Sequence, residues 1–451
     1  MPEVDEVRAA VRGLMPRALA ELGELVAIPS VADERQFPRA ECDRAARWVA
    51  DAFRAEGIAD ARPEATPDGS ATVVGHVPAP PGAPTVLLYA HYDVQPPLDD
   101  DAWLSPPFAL TERGGRLYGR GAADCKGNIV AHLTALRALR ALGGLPVGVR
   151  IAIEGSEEQG TGGLEEYVQA HPELFHADAV LVADTGNATL GQPTLTVSLR
   201  GVANVVVTVE TMAGAVHSGM FGGAAPDALA ALVVILASLR DASGDTAITG
   251  LPGDGRWHGV GYDEEQFARD AGVLEGVALA GSGSVADRLW ARPAVTVLGV
   301  DAPAVVGSTA AVQARASARV SLRVPPGMDA AAARDALTAH LRAAAPWGAR
   351  VAVEPEQVGQ PFRATTDGPV FAALSDALAE AFGRPTVTAG QGGSIPLCNV
   401  FASVLPGVPV VLLGVEEPAC LIHAPNESVA PSEIESLAVG EALFLARLAR
   451  A

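Results

Sequence analysis

Along the first third of the chain, apolar positions switch between helical spacing and short unbroken runs. Val7 to Val26 repeats apolar residues at a helical period and stops before Ile28-Pro29-Ser30, and Cys42 to Glu56 reads as a second helix. Thr85-Val86-Leu87-Leu88-Tyr89-Ala90 is a short apolar run, the pattern of a strand covered on both faces. Asn128 to Leu142 places Ile129, Leu133, Leu136, Leu139 and Leu142 on one stripe and closes at Gly143-Gly144. Val149 to Ile153 and Ala179 to Ala183 are further apolar strands. Strands separated by helices need crossover connections, so the pattern predicts an α/β fold with a mainly parallel sheet.

The pattern changes near Leu195. Val197, Leu199 and then Val202 to Val209 read as longer, half-exposed strands, and Arg319 to Val324 alternates polar and apolar residues. Helices are expected over Asp227 to Leu239 and Asp329 to Ala345, with a strand over Arg350 to Val353. Two such strand–helix–strand passages predict a small α+β domain with one exposed sheet face. Parallel-sheet character returns with the helix Val370 to Phe382 and the strand Val408 to Leu413. The expected organisation is a catalytic domain in two halves, residues 1–195 and 358–451, interrupted by an inserted domain over residues 196–357.

A chain of 451 residues with 49% hydrophobic residues can bury a sizeable core. Its formal net charge of −21 argues against a nucleic-acid surface. Cys42, Cys125, Cys398 and Cys420 form no CxxC pair, which fits free thiols in a reducing compartment. Met1 to Leu14 mixes acidic, basic and apolar residues unlike a signal peptide, and the apolar stretch Ala228 to Leu239 is too short to span a bilayer. A cytoplasmic protein without a membrane or nucleic-acid partner is expected.

The acids and histidines then fall at telling places. The first apolar strand runs into His91-Tyr92-Asp93, the second into Glu154-Gly155-Ser156-Glu157-Glu158, and the third ends at Asp184. His423 follows the last strand after a short loop, and Asp124 precedes the Leu-striped helix. In an open parallel sheet the C-terminal strand ends share one edge, where ligands bind. Two histidines and several carboxylates on one rim match a hydrolytic divalent-metal site. Singly each has a bland alternative: a loop histidine, an N-cap aspartate, a solvated Glu-Glu turn.

The motifs also resemble a known family. His91-Tyr92-Asp93-Val94-Gln95-Pro96, Gly119-Arg120-Gly121-Ala122-Ala123-Asp124-Cys125-Lys126-Gly127, Glu157-Glu158, His217-Ser218-Gly219, Gly392-Gly393-Ser394-Ile395-Pro396 and His423-Ala424-Pro425-Asn426-Glu427 resemble, in order, the aminoacylase–carnosinase family of two-zinc metallopeptidases. The form of the first motif and the presence of Asp184 point to its dipeptidase-like branch. The resemblance implies a zinc-peptidase-like catalytic domain with an inserted, ferredoxin-like lid and dimerisation domain. It also implies two divalent metal ions per subunit, zinc first, with manganese or cobalt as alternatives. Asp124 would bridge them, with His91 and Asp184 on one metal and Glu158 and His423 on the other. A bridging water would be acidified towards hydroxide, with Glu157 as general base and Asp93 orienting His91. The family's bridging aspartate is often followed by a cis peptide, here Asp124–Cys125.

On the inserted domain, His217 matches a histidine that reaches the partner subunit's site and polarises the scissile carbonyl, which implies a homodimer. Arg323 matches a clamp for the substrate's terminal carboxylate, with Gly393 and Ser394 as further substrate contacts. Local alternatives are a hairpin-tip histidine, a solvated strand face shared with Arg319, and a tight glycine loop. Gly390-Gln391, Ala215 and Ala310 depart from residues common in relatives; none is an expected metal ligand, so the departures leave hydrolysis intact and the substrate open. The expected activity is hydrolysis of a dipeptide or short peptide with a free C-terminal carboxylate, in the manner of a dipeptidase or carboxypeptidase. The alternative is an N-acyl-amino-acid amidohydrolase of the same family, and a metal-free scaffold is a third reading.

Overall fold

Strand Thr85–His91 lies between two parallel neighbours, Gly148–Glu154 and Ala179–Ala183, and Val410–Leu413 extends the parallel set beyond the latter. Side chains alternate across it. Val86, Leu88 and Ala90 join a large apolar cluster, whereas Leu87 and Tyr89, equally inaccessible, stand outside that cluster. This is why the sequence here is an unbroken apolar run.

The edges are antiparallel. Ala71–Val77 pairs with Gly148–Glu154, Arg62–Ala65 pairs with Ala71–Val77, and Thr196 meets Leu412 antiparallel. The sheet is therefore mixed around a parallel centre, as the expected α/β class requires. The computed structural model describes residues 2–393 and 395–449. Ser394 lies outside the described residues.

Helix Lys126–Ala141 departs from its expected single stripe. It is buried all round from Lys126 to Leu139, because it is enclosed by helices Val4–Val26 and Pro431–Leu448 and by strand Thr85–His91. Its polar residues are satisfied. Lys126 Nζ donates to the carbonyls of Leu25 and Ile28 at 3.0 and 2.8 Å, and His132 Nδ1 lies 2.6 Å from Glu441 Oε2. Helices Gly163–Ala170 and Pro396–Val404 pack on one another outside the large cluster.

Contacts divide the chain into two units. One comprises residues up to Val197 with Ala364–Ala389 and Pro396 onward, and the other comprises Ser198–Arg363 with Gly390–Ile395. The second holds a four-stranded antiparallel sheet in the order Ala294–Asp301, Arg315–Val324, Gly201–Glu210, Arg350–Gly359. Helices Ala228–Ala237 and Ala330–Ala343 cover one face, packing on Val205, Val207, Val320, Leu322 and Val324. Arg319 and Arg323 occupy the opposite face, as the alternation predicts. Among the described residues, no helix is long and apolar enough to cross a membrane.

Candidate metal centre

The four parallel strands deliver their C-terminal ends to one rim. His91 is the last residue of its strand, Glu157 and Glu158 open the 3₁₀ turn Glu157–Gln159 after Glu154, and Asp184 follows Ala183 directly. His423 sits in the loop after Val410–Leu413 with a left-handed φ of 62°, a rare backbone state for a histidine. Asp124 closes the loop before helix Lys126–Ala141, and its peptide to Cys125 is cis.

All five expected ligands converge. His91 Nε2 is 2.9 Å from Asp124 Oδ1 and 3.0 Å from Asp184 Oδ1. His423 Nε2 is 3.0 Å from Asp124 Oδ2 and 3.2 Å from Glu158 Oε2. Asp124 thus offers one oxygen to each histidine. Three candidate cation clusters overlap at this centre: His91 and Asp184 with Cys125, Asp124 and Glu158 with His423, and Asp124 and Asp184 with Glu416.

The donor chemistry fits paired cations. His91 Nδ1 lies 3.0 Å from the Asp93 carbonyl, which can only accept, so Nδ1 carries the proton. In the neutral ring Nε2 then points a lone pair at two carboxylate oxygens, an arrangement that calls for a cation among them. Without one, protonation takes its place. Burial opposes charging His91, yet the charge of Asp184 beside it and hydrogen bonds to Asp124 and Asp184 hold its pKa well above the usual value. Hydrogen bonds to Asp124 and Glu158 push His423 up to about 11. Burial, then the charge of Asp184, raises Glu157 well above the ordinary carboxylate range.

Asp93 takes a different part from the orientation of His91 through its side chain. Its carboxylate is 3.5 Å from His91 Nδ1, and the backbone carbonyl makes the shorter contact. The carboxylate instead accepts the N–H groups of Glu157 and Glu158 at 3.2 and 3.0 Å. It therefore fixes the turn that carries both glutamates. The side chain of Glu157 accepts no hydrogen bond from a described group.

Several supporting residues escaped the sequence reading. Gln95 donates from Nε2 to Glu158 Oε2 at 2.8 Å and from its backbone to Oε1 at 3.2 Å. Cys125 donates its thiol to the Ala183 carbonyl at 2.9 Å, and burial pushes it up to about 12, so it stays a neutral neighbour. Glu416 lies within the carboxylate cluster of Asp124 and Asp184 and accepts from Asn128 at 3.4 Å. Glu427, quoted only as part of a motif, is wholly buried and accepts from Arg120 Nη1 at 2.7 Å. It also accepts the backbone N–H groups of Gly121, Ala123 and Asp124 at 3.0, 3.0 and 3.1 Å.

Burial raises the Glu427 pKa while Arg120 and these N–H groups pull it back, so the pair's value lies in holding the Asp124 loop. Glu427→Ala strands the Arg120 charge and three amides. A loss of about 3–5 kcal/mol in unfolding free energy is expected by denaturant titration. A loss below about 1 kcal/mol would assign the loop's position to something else.

In the inserted unit, His217 is exposed and its Nδ1 accepts the Gly219 N–H at 3.1 Å. In the neutral ring that bond leaves Nε2 as the nitrogen that carries the hydrogen. Arg323 is half-buried. Gly390 is needed where it stands, because a Cβ there would lie 2.5 Å from Trp290 Cγ.

The site and sheet together define the class: a hydrolase scaffold with a rim built for two cations. A family model described as Peptidase family M20/M25/M40 matches residues 87–450, and the chain belongs to that family. It is 43% identical over 440 residues, 95% of each chain, to the cysteinylglycine-S-conjugate dipeptidase of Corynebacterium striatum. It is 29% identical over 395 residues to the beta-Ala-His dipeptidase of Homo sapiens, covering 82% of this chain and 77% of that one. The crystal structure of human carnosine dipeptidase 1 superposes with a TM-score of 0.81 at 27% identity, over 100% of both chains. The expected dipeptidase-like branch of the family is borne out.

Proposed function

We propose that this chain is a metal-dependent dipeptidase, hydrolysing the amide bond of a dipeptide with a free C-terminal carboxylate. The observation that carries the reading is the 43% identity to a dipeptidase along 95% of both chains, over a site whose donors converge. His91 and Asp184 would hold one cation, Glu158 and His423 the other, and Asp124 both. Zinc is the metal we propose, with manganese and cobalt as alternatives. When bound, the cations acidify a water and polarise the scissile carbonyl.

Glu157 takes the water's proton and returns it to the leaving nitrogen. Asp93 holds the Glu157 turn in place through its carboxylate. His217 offers Nε2–H to the carbonyl oxygen, a role supported by the tautomer that the Gly219 contact fixes. Arg323 binds the terminal carboxylate, with Gly393 and Ser394 as further contacts.

A homodimer through the inserted unit is the assembly we propose. Support comes from Val297, Leu298 and Val300 on an exposed edge strand and from Val233 and Val234 on an exposed helix face of the same unit. A monomer mass in light scattering would remove it. The free thiols Cys42, Cys125, Cys398 and Cys420 support a cytoplasmic location; recovery of the native protein outside the cytoplasm on cell fractionation would exclude it.

The test is a panel of cysteinylglycine, its S-conjugates, other dipeptides and N-acetyl amino acids, each with added zinc, manganese or cobalt. Turnover of dipeptides is the expected result. Turnover of N-acetyl amino acids alone would move the chain to the amidohydrolase reading, which its dipeptidase relatives do not favour.

A further inference from the structure

Arg200 and Arg323 are close neighbours on the inserted unit's sheet. Strand Arg315–Val324 pairs antiparallel with Gly201–Glu210, with Arg323 opposite Val202 and Val324 opposite Gly201. Arg200 immediately precedes the second strand, two residues before Val202, and is thus the diagonal neighbour of Arg323. Its backbone N–H donates to the Gln391 carbonyl at 3.3 Å, which ties it to the loop Gly390–Ile395 of the same unit.

Two facts set Arg200 apart from a surface arginine. Its residue is only 9% exposed, and its Nε has no hydrogen-bond partner. Neither guanidinium has a carboxylate within ion-pair range among the described residues, although the unit's other buried arginine, Arg292, is held by Asp245 and Asp287. Burial and the charge of Arg323 lower the Arg200 pKa to about 10, an adverse environment for a lone cation. The loop leaves room for it: a Cβ on Gly392 would come 2.7 Å from Arg200 Nη2. Two adjacent cations, one of them close to the Gly392 backbone and both without a carboxylate partner among the described residues, suit a planar anion.

We propose that Arg200 is the second guanidinium of the substrate clamp, binding the C-terminal carboxylate together with Arg323. The inference rests on the dipeptidase reading above and deepens it. Arg323 alone would select weakly against a peptide amide. Two guanidiniums, one shielded from water, make a free carboxylate a condition of tight binding and confine cleavage to the penultimate residue of a chain.

The experiment compares the best dipeptide of the panel with the same dipeptide as its C-terminal amide, using the metal-loaded full chain. Arg200→Met is expected to raise KM for the dipeptide about 10–100-fold with kcat nearly unchanged, the scale of a charge-assisted hydrogen bond. Turnover of the amide should be the same in both proteins, so the preference for a free carboxylate collapses. Arg200→Lys, which keeps a positive charge, should restore part of it and decides the matter should the Met variant fail to fold. Equal losses on acid and amide, or an unchanged KM, would overturn the proposal and leave Arg200 a structural residue. Failure of the dipeptidase reading is separate: a wild type that cleaves only N-acyl amino acids would still allow the same acid-to-amide ratio to be measured.

Discussion

Glu157→Gln is expected to lower kcat by about 10²–10⁴-fold while the protein keeps its full complement of divalent metal. Glu157 stands at the rim beside Asp184 and His91 but shares none of the four short histidine–carboxylate contacts that join Asp124, Asp184, Glu158 and the two histidines. Its position comes instead from the backbone, through the Asp93 carboxylate. Burial and the charges of Asp184 and Glu158 raise its pKa in the metal-free protein, and bound cations would act against that rise. A group poised between holding and releasing a proton can serve both halves of an amide hydrolysis. Removing the ionisable oxygen should therefore abolish proton transfer and leave the cage whole. Elemental analysis beside steady-state kinetics reads both quantities. His217→Ala, far from the ligands in sequence, should also keep its metal while losing turnover. Equal metal loss in Glu157→Gln and in a ligand variant such as Glu158→Gln would show that the division of roles is wrong.

Stripping the metal is expected to destabilise the protein as well as silence it. The metal-free rim gathers Asp124, Glu157, Glu158, Asp184 and Glu416 in a buried space, and burial disfavours the charged form of each. Among the described residues, only His91 and His423 supply compensating charge at the centre. Cations that bind the folded state and not the unfolded one stabilise by mass action, about 4 kcal/mol at a thousandfold excess over Kd. For a unit of this size that corresponds to a rise in Tm of roughly 7 °C. Differential scanning calorimetry of the chelated and reloaded protein checks it. An identical Tm in chelator, zinc, manganese and cobalt would sink the metal reading together with the mechanism built on it.

The parts of the fold legible in the sequence were those whose surroundings are uniform. Thr85–His91 and Ala179–Ala183 are covered on both faces, so their apolar runs announced them, and their C-terminal ends carried two of the candidate ligands with them. Ala71–Val77 was missed because its alternation is interrupted by Gly75, and Arg62–Ala65 because Pro63 breaks the strand signal. Ala294–Asp301 is an exposed edge with an irregular register near Gly299, so no buried face imposed a pattern on it. Helix Pro431–Leu448 starts with proline in its first turn and is buried on nearly every side, which hides its stripe.

The site divides in the same way. Residues that end strands could be placed from topology. Gln95, Glu416 and Glu427 could not, since a carboxylate or amide that props a loop from within has the same letter as one in water. Arg200 was missed for a like reason: its partnerless burial is a property of three segments meeting, strand, strand and loop.

The contacts of Glu427 bear on when the enzyme can come into being. Residues 120–124 are locked by a side chain some three hundred positions further on, four residues past His423. During synthesis the first half of the rim emerges long before its staple and its last imidazole. A nascent or truncated chain ending short of His423 should bind no metal pair and cleave no peptide, which expression of such a fragment would test. On that expectation, hydrolytic power waits for the last imidazole and its neighbouring staple to join the rim.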